Sequence, residues 1–425
     1  MDLFLGVRTE EIYKLVILLC FLNMTCQLVL FNGYGAVLAS DSAVTMGNRR
    51  VYDTAEKITP LPVPHQIAIL DSGTAFLHQF PVQVLLEEFG KTLGGTRLST
   101  AFEYQRKFVD FLESSALFSD EVQNSAFCSH IENHISILKN AINRQFPSPD
   151  RTHDEMSEVI TYWRECYEKY ALNQGSNDEW FDGIWDSNID EISDIYGRHF
   201  TEQELSDSIV SDLCSELEAY AMRAPQHGAN TTLSFVGYGE HELMPSFSQF
   251  FFLGFTGNKL QHWHLANDKF DSAATLNRVG VKLIAQTDAI ETFIRGFAQD
   301  THESARTIIR DTIGQISDAT KSTHTPPIED SESEVEDSMA ERQEELKRDA
   351  EAKIDELGSA REAEFYDVIG GLPPATLATV AESLIGIQSL HQAVTAKLNT
   401  VGGPIDTAMI TRANGFQWIR HKSIS

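Results

Sequence analysis

The chain has 425 residues, 42% of them apolar, with 33 Lys and Arg against 62 Asp and Glu, a net charge of −29. That length and apolar content supply a sizeable core and exclude global disorder. The acid excess excludes nucleic acid or an anionic membrane as the main partner, because both demand a basic face.

The five cysteines are Cys20, Cys26, Cys128, Cys166 and Cys214, with no C-x-x-C pair among them. An odd, scattered set fits a reducing compartment, so a cytoplasmic protein is expected, without a disulfide framework or a thiolate metal site. Near the start, the apolar run Leu15–Leu22 is too short to span a bilayer. The residues before it include Asp2, Glu10 and Glu11 beside Arg8 and Lys14, and no small-x-small site follows, so no secretory signal is expected.

Residues 25–85 read as strands. Cys26–Phe31 and Ala36–Ser40 are short apolar runs joined by Asn32-Gly33-Tyr34-Gly35, a hairpin signal. Val51 and Tyr52, then Gln66–Leu70, continue the strand texture up to Asp71-Ser72-Gly73. From about Ala75 to Ala224 the texture is helical. Val82, Val84, Leu85, Leu86, Phe89 and Leu93 fall at mixed three- and four-residue spacing, as an amphipathic helix requires. The polar, aromatic-rich stretch Ser129–Glu218 reads as an inserted helical subdomain. Strands are expected again at Thr231–Tyr238, Gln249–Phe255 and Arg278–Ala285, then helices at Thr287–Phe293 and Thr301–Ser317. Thr325–Glu345 holds nine acidic residues and Arg342 alone as a base, a solvated linker leading into a charged helix. A helix after Leu372-Pro373-Pro374 buries Leu377, Val380, Ala381, Leu384, Ile385 and Ile387. The turn Val401-Gly402-Gly403-Pro404 then precedes a closing strand pair, Ile405–Ile410 and Phe416–Ile419. Segregated blocks of strands and helices imply helices layered on antiparallel sheets, an α+β class.

The chemistry sits between Thr25 and Gly73. Thr25 is followed sixteen residues later by Asp41 and thirty-two residues later by Lys57. With Ala36-Val37-Leu38-Ala39-Ser40-Asp41-Ser42, Lys57-Ile58 and Ser72-Gly73, this segment resembles the proteasome β-subunits and the bacterial HslV and Anbu peptidases. These are N-terminal-nucleophile (Ntn) hydrolases with a four-layer α-β-β-α sandwich of antiparallel sheets. The resemblance covers 25–75, 229–300 and 372–421. It implies Thr25 as a mature N-terminal nucleophile, Asp41 and Lys57 as its support, and Gly73 as an oxyanion donor. A Thr hydroxyl needs a base, and at a chain terminus its own α-amine serves. A nearby Lys ammonium keeps that amine unprotonated, and an Asp orients the Lys. A backbone N–H at Gly73 stabilises a developing oxyanion. A Cys26 nucleophile would place both spacings one residue out, on the opposite strand face.

Departures from the family lie downstream. Ala285-Gln286-Thr287-Asp288 stands where a Gly-Ser-Gly turn is expected, and Asn399, Thr400 and Val401 stand where an Asp and a Ser are expected. Gln286, Thr287 or Thr400 would have to supply the missing hydroxyl or amide.

The expected organisation is 1–24 as a pro-segment or as residues upstream of the true translation start, and 25–85 as the first part of the Ntn core. Next come 86–228 as a helical insertion, 229–320 as more core, 321–371 as acidic linker and charged helix, and 372–425 as the last core segment. The expected activity is threonine-dependent hydrolysis of an amide, chiefly a peptide, with a homo-oligomer in prospect and no cofactor, metal, nucleic acid or membrane. The alternatives are a non-catalytic proteasome-like assembly or defence subunit, and a small-molecule Ntn amidase.

Other candidates weigh less. His130 and His134 share a helix face at zinc-binding spacing, but Glu132 is displaced from the metallopeptidase position. His262 and His264 share a strand face without a third ligand. Trp163, Trp180 and Trp185 are expected in the core of the insertion.

Overall fold

The computed structural model describes residues 25–46, 49–148, 151–169, 172, 177–223, 231–256, 259–269, 279–323, 332–395 and 400–422. Residues 1–24, the 324–331 part of the expected linker, and Asn399 lie outside them. The described chain is a mixture of helices and antiparallel sheets, and it falls into two compact units. One lies within Glu56–Ser272 and Ile410–Phe416. The other lies within Thr25–Ala55, Ala273–Met409 and Gln417–Ser425.

In chain order the strands open with β1 (Cys26–Asn32), β2 (Gly35–Ser40), β3 (Val44–Met46), β4 (Arg49–Tyr52), β5 (Ile58–Pro60), β6 (Gln66–Gly73), β7 (Phe76–Leu77) and β8 (Phe80–Pro81). Six helices follow: α1 (Val82–Thr92), α2 (Ala101–Ser114), α3 (Asp120–Gln145), α4 (His153–Glu168), α5 (Asp178–His199) and α6 (Asp207–Met222). Strands return as β9 (Thr231–Tyr238), β10 (Ser246–Thr256), β11 (Lys259–Lys269) and β12 (Gly280–Ala285). The chain ends with α7 (Asp288–Arg295), α8 (Gln299–Thr323), α9 (Glu332–Gly370), α10 (Pro374–Thr395), β13 (Asp406–Thr411) and β14 (Gly415–Arg420).

Within the Glu56–Ser272 unit the sheet order is β11-β10-β9-β6-β5. The apolar face of α1 and α2, carrying Leu86, Phe89, Phe108 and Leu112, packs on Ile67, Ile69, Phe235 and Phe250. Helices α3–α6 build a separate core around Ile135, Trp163, Tyr167 and Leu213. Five of the six helices α1–α6 are capped by the residue just before them: Thr100, Ser119, Thr152, Asn177 and Ser206 each accept a hydrogen bond from the first turn. Such caps satisfy amide groups that the helix itself leaves unpaired.

In the unit that contains Thr25 the sheet order is β12-β1-β2-β13-β14. The hairpin read at Asn32-Gly33 forms with register Gln27↔Ser40 to Asn32↔Gly35. Leu28, Leu30, Val37 and Ala39 lie under Ile290, Leu377, Leu384 and Ile385 of α7 and α10. Asn32 locks the hairpin tip, its Nδ2 donating to the carbonyls of Ile369 (3.0 Å) and Leu372 (2.8 Å). Every residue of β1 and β2 is buried, so both faces of this hairpin are covered.

Three elements differ from the sequence expectation. β6 continues through Asp71-Ser72 to Gly73 because those residues pair with Leu233, Thr232 and Thr231 of β9. β11 is a full strand, because β10 offers it a long antiparallel partner. The acidic stretch is helical from Glu332 on, since its Glu, Ala, Lys and Arg are good helix formers whatever their net charge.

Candidate active site

Thr25 precedes β1 and is buried. Its carbonyl accepts the N–H of Gln286 at 2.9 Å, which ties the start of β1 to the end of β12. Asp41 follows β2 and is also buried. A carboxylate removed from water must be hydrogen-bonded or paired. Here Oδ1 accepts the N–H of Cys26 (3.0 Å), and Oδ2 accepts those of Gly402 (3.0 Å) and Ala43 (3.3 Å). The N–H of Asp41 in turn donates to the carbonyl of Cys26 at 3.1 Å. Asp41 therefore holds together the residue after Thr25, the end of β2 and the glycine turn before β13.

That turn needs its glycines. Gly402 has φ +150°, and a Cβ there would lie 3.0 Å from the Arg50 guanidinium. Gly403 has φ +78°, and its Cβ would lie 2.9 Å from the Asp53 Cβ. The sequence reading treats Gly402 as a turn residue only; the structure adds its N–H as an Asp41 donor and its carbonyl as the acceptor for the N–H of Ser42, at 3.1 Å.

The departures from the family turn are brought together as well. Thr400 Oγ1 donates to Gln286 Oε1 at 2.6 Å, so Thr400 is joined through Gln286 to Thr25. This occupation of the amide oxygen leaves the Gln286 NH2 end as the donor. Thr287 turns to Glu291 instead, at 3.3 Å within α7. Ala285, standing where the family turn begins with glycine, has φ +67°, a left-handed conformation that favours glycine.

Lys57 and Gly73 belong to the other unit and are described there. Lys57 is buried just before β5, and its carbonyl accepts the N–H of Asp71 at 3.2 Å. Since Ile58 pairs with Leu70, Lys57 stands opposite Asp71 across the β5–β6 ladder. Oδ1 of Asp71 is shielded from solvent. Burial pushes the Asp71 carboxyl up to about 6, against the Lys57 charge and a backbone hydrogen bond, both of which draw it down. The sequence reading missed Asp71 because it took Asp71-Ser72-Gly73 for a strand end. The signal available was a lone acid closing the apolar run Gln66–Leu70. Gly73 ends β6 with φ +90° and is exposed.

The remaining sequence candidates go elsewhere. His134 and Glu216 form a fully buried pair in the helical core, Nε2 to Oε1 at 2.7 Å, with the imidazole stacked on Tyr220. His130 contributes to a separate cavity, and Trp163 is a core residue. His264 meets Gln105, its Nδ1 lying 3.0 Å from Nε2. Among the described residues no group of three or more His, Cys, Asp or Glu is placed to hold a metal ion. No helix among them is long and apolar enough to cross a membrane. Among the described residues Cys26, Cys128, Cys166 and Cys214 form no disulfide.

Comparison with known proteins returns no matching family model and no matching curated protein. The Thr25, Asp41, Lys57 and Gly73 assignment therefore stands on the sequence resemblance and on the local geometry just described.

Proposed function

We propose that the protein is an Ntn hydrolase that uses Thr25 to cleave amide bonds, chiefly in peptides, through an acyl-enzyme. The observation that carries this reading is the buried Asp41 carboxylate, bonded to the N–H of the residue after Thr25 and to the glycine turn at Gly402. Such a clamp fixes the backbone that carries the nucleophile, and fixed geometry is what makes a weak hydroxyl effective.

In this reading Thr25 is exposed as the N-terminus by removal of residues 1–24. Its α-amine takes the hydroxyl proton, Thr25 Oγ1 attacks the carbonyl, and the amine leaving group departs with the proton. Water then hydrolyses the ester and regenerates Thr25. The resemblance gives Lys57 the role of keeping the α-amine unprotonated and the Gly73 N–H that of oxyanion donor. Each unit by itself carries helices on a five-stranded antiparallel sheet, and the resemblance implies a four-layer sandwich built from two such sheets.

The competing reading is a non-catalytic proteasome-like subunit. Ala285-Gln286-Thr287 in place of the family's glycine-serine turn favours it. A peptide-like electrophile with mass mapping separates the two. The hydrolase reading expects an adduct on Thr25 that disappears in Thr25→Ala, with amide-probe turnover lost in the same variant. An adduct on Cys26 with activity surviving Thr25→Ala would assign the wrong nucleophile, and no adduct at all would favour the non-catalytic subunit.

A further inference from the structure

One residue past Gly73 a cavity of about 670 Å³ begins at Thr74, lined by residues of α3, the β6–β8 segment and β10. Glu121, Ser125 and Ser129 follow one another at four-residue spacing along α3, and His130 stacks on Ala126, the next row of the same lining. Glu121 and His130 are nine residues apart in the sequence, about 13 Å of helical rise. The site is therefore elongated.

Its second end is built with care for close approach. Gly254 has φ +155°, and a Cβ there would lie 2.9 Å from His78 Cε1 and 3.4 Å from His130 Cε1. Only glycine lets the two imidazoles converge at that strand. His78 itself holds φ +54°, an uncommon conformation for a side chain of its size. Its Nε2 accepts the N–H of Phe255 at 3.3 Å, which places the ring proton on Nδ1. Burial, with His130 alongside, pushes His78 down to about 4, and burial lowers His130 as well. Both shifts favour the uncharged imidazole.

The charge balance selects the ligand. Among the described lining residues there is no Lys or Arg, and Glu121 carries the single formal charge. Glu121 sits in the first turn of α3 and is exposed. Phe76, half exposed, adds an aromatic face within the same cavity. An anion would meet Glu121 with no compensating cation. A metal ion would find the His78 Nε2 lone pair engaged.

We propose that this cavity binds an elongated organic cation of the arginine side-chain type, with its charge at Glu121 and a neutral hydrogen-bonding group at the His78–His130 end. The proposal is independent of the hydrolase reading, because it concerns binding and not turnover.

Calorimetric titration of the full chain at low salt tests it, with Nα-acetyl-arginine amide as the probe. Nα-acetyl-norleucine amide and Nα-acetyl-glutamate amide serve as neutral and anionic controls. The arginine compound is expected to bind about tenfold or more tightly than the norleucine compound. Glu121→Gln, an exposed change on the first turn, is expected to cost about tenfold, and Ala126→Trp to block binding by filling the cavity. Thermal denaturation checks that both variants are folded. The proposal is overturned by norleucine amide binding equally well, by the glutamate compound binding more tightly, or by unchanged affinity in Glu121→Gln. It is also overturned if the arginine compound shows no saturable heat at millimolar concentration.

Discussion

Asp41 shows how one side chain can organise three stretches of backbone. Both of its oxygens are taken by N–H groups, so Asp41→Ala would leave the amides of Cys26, Gly402 and Ala43 without their acceptor. The expected cost is about 3 kcal/mol in urea unfolding, within the range for orphaned buried donors. Gly402→Ala should destabilise by about 1–3 kcal/mol, because φ +150° is strained for alanine and the new Cβ presses on Arg50. Asp71 gives a pH signature. Its folded pKa, about 6, lies above its unfolded value, so the native state binds the extra proton and stability falls as pH rises from near 4 to about 6. Asp71→Asn should flatten that part of the profile; a slope unchanged in the variant would assign it to another group. At this scale Thr25, Asp41 and Lys57 can be named from the sequence because the resemblance that proposes them rests on their spacing. The Thr400–Gln286 bond and the Lys57–Asp71 apposition are not, since each depends on which residues a strand register sets side by side.

Elements follow the same division. The β1–β2 hairpin is legible because Asn-Gly turns and apolar runs are local signals. β9 matches its expected span, Thr231–Tyr238, for a similar reason: a continuous buried run needs no partner to be recognised. β11 reads poorly because Lys259–Lys269 is polar, and only pairing with β10 makes it a strand. In the helical segment the His130–His134 spacing suggests a metal pair, but a helix face says nothing of what packs against it. His134 meets Glu216 of α6, with Trp163, Tyr167 and Tyr220 around the ring. Glu216→Ala should cost about 3–5 kcal/mol, because it strands a buried partner. Replacing both His134 and Glu216 by Leu should recover most of that loss, since an apolar pair avoids the desolvation penalty. Urea unfolding of the single and double variants is the check; equal losses in both would show that packing at the site, and not the pair, sets the stability.

For the whole molecule, the segregated blocks of strand and helix texture led to a mixture of helices and antiparallel sheets, which the described residues form, whereas assembly and activity do not follow from that order. The expected homo-oligomer is checked by light scattering at micromolar concentration, where a strict monomer would argue against ring assembly. The proposed chemistry also makes a demand on the chain as a whole. An α-amine joined to an upstream residue is an amide nitrogen and cannot act as a base. The mass of the intact protein isolated from its native host tests this most directly. A mass corresponding to a chain that begins at Thr25 is the expected result, and a mass that retains residues 1–24 would contradict the threonine mechanism.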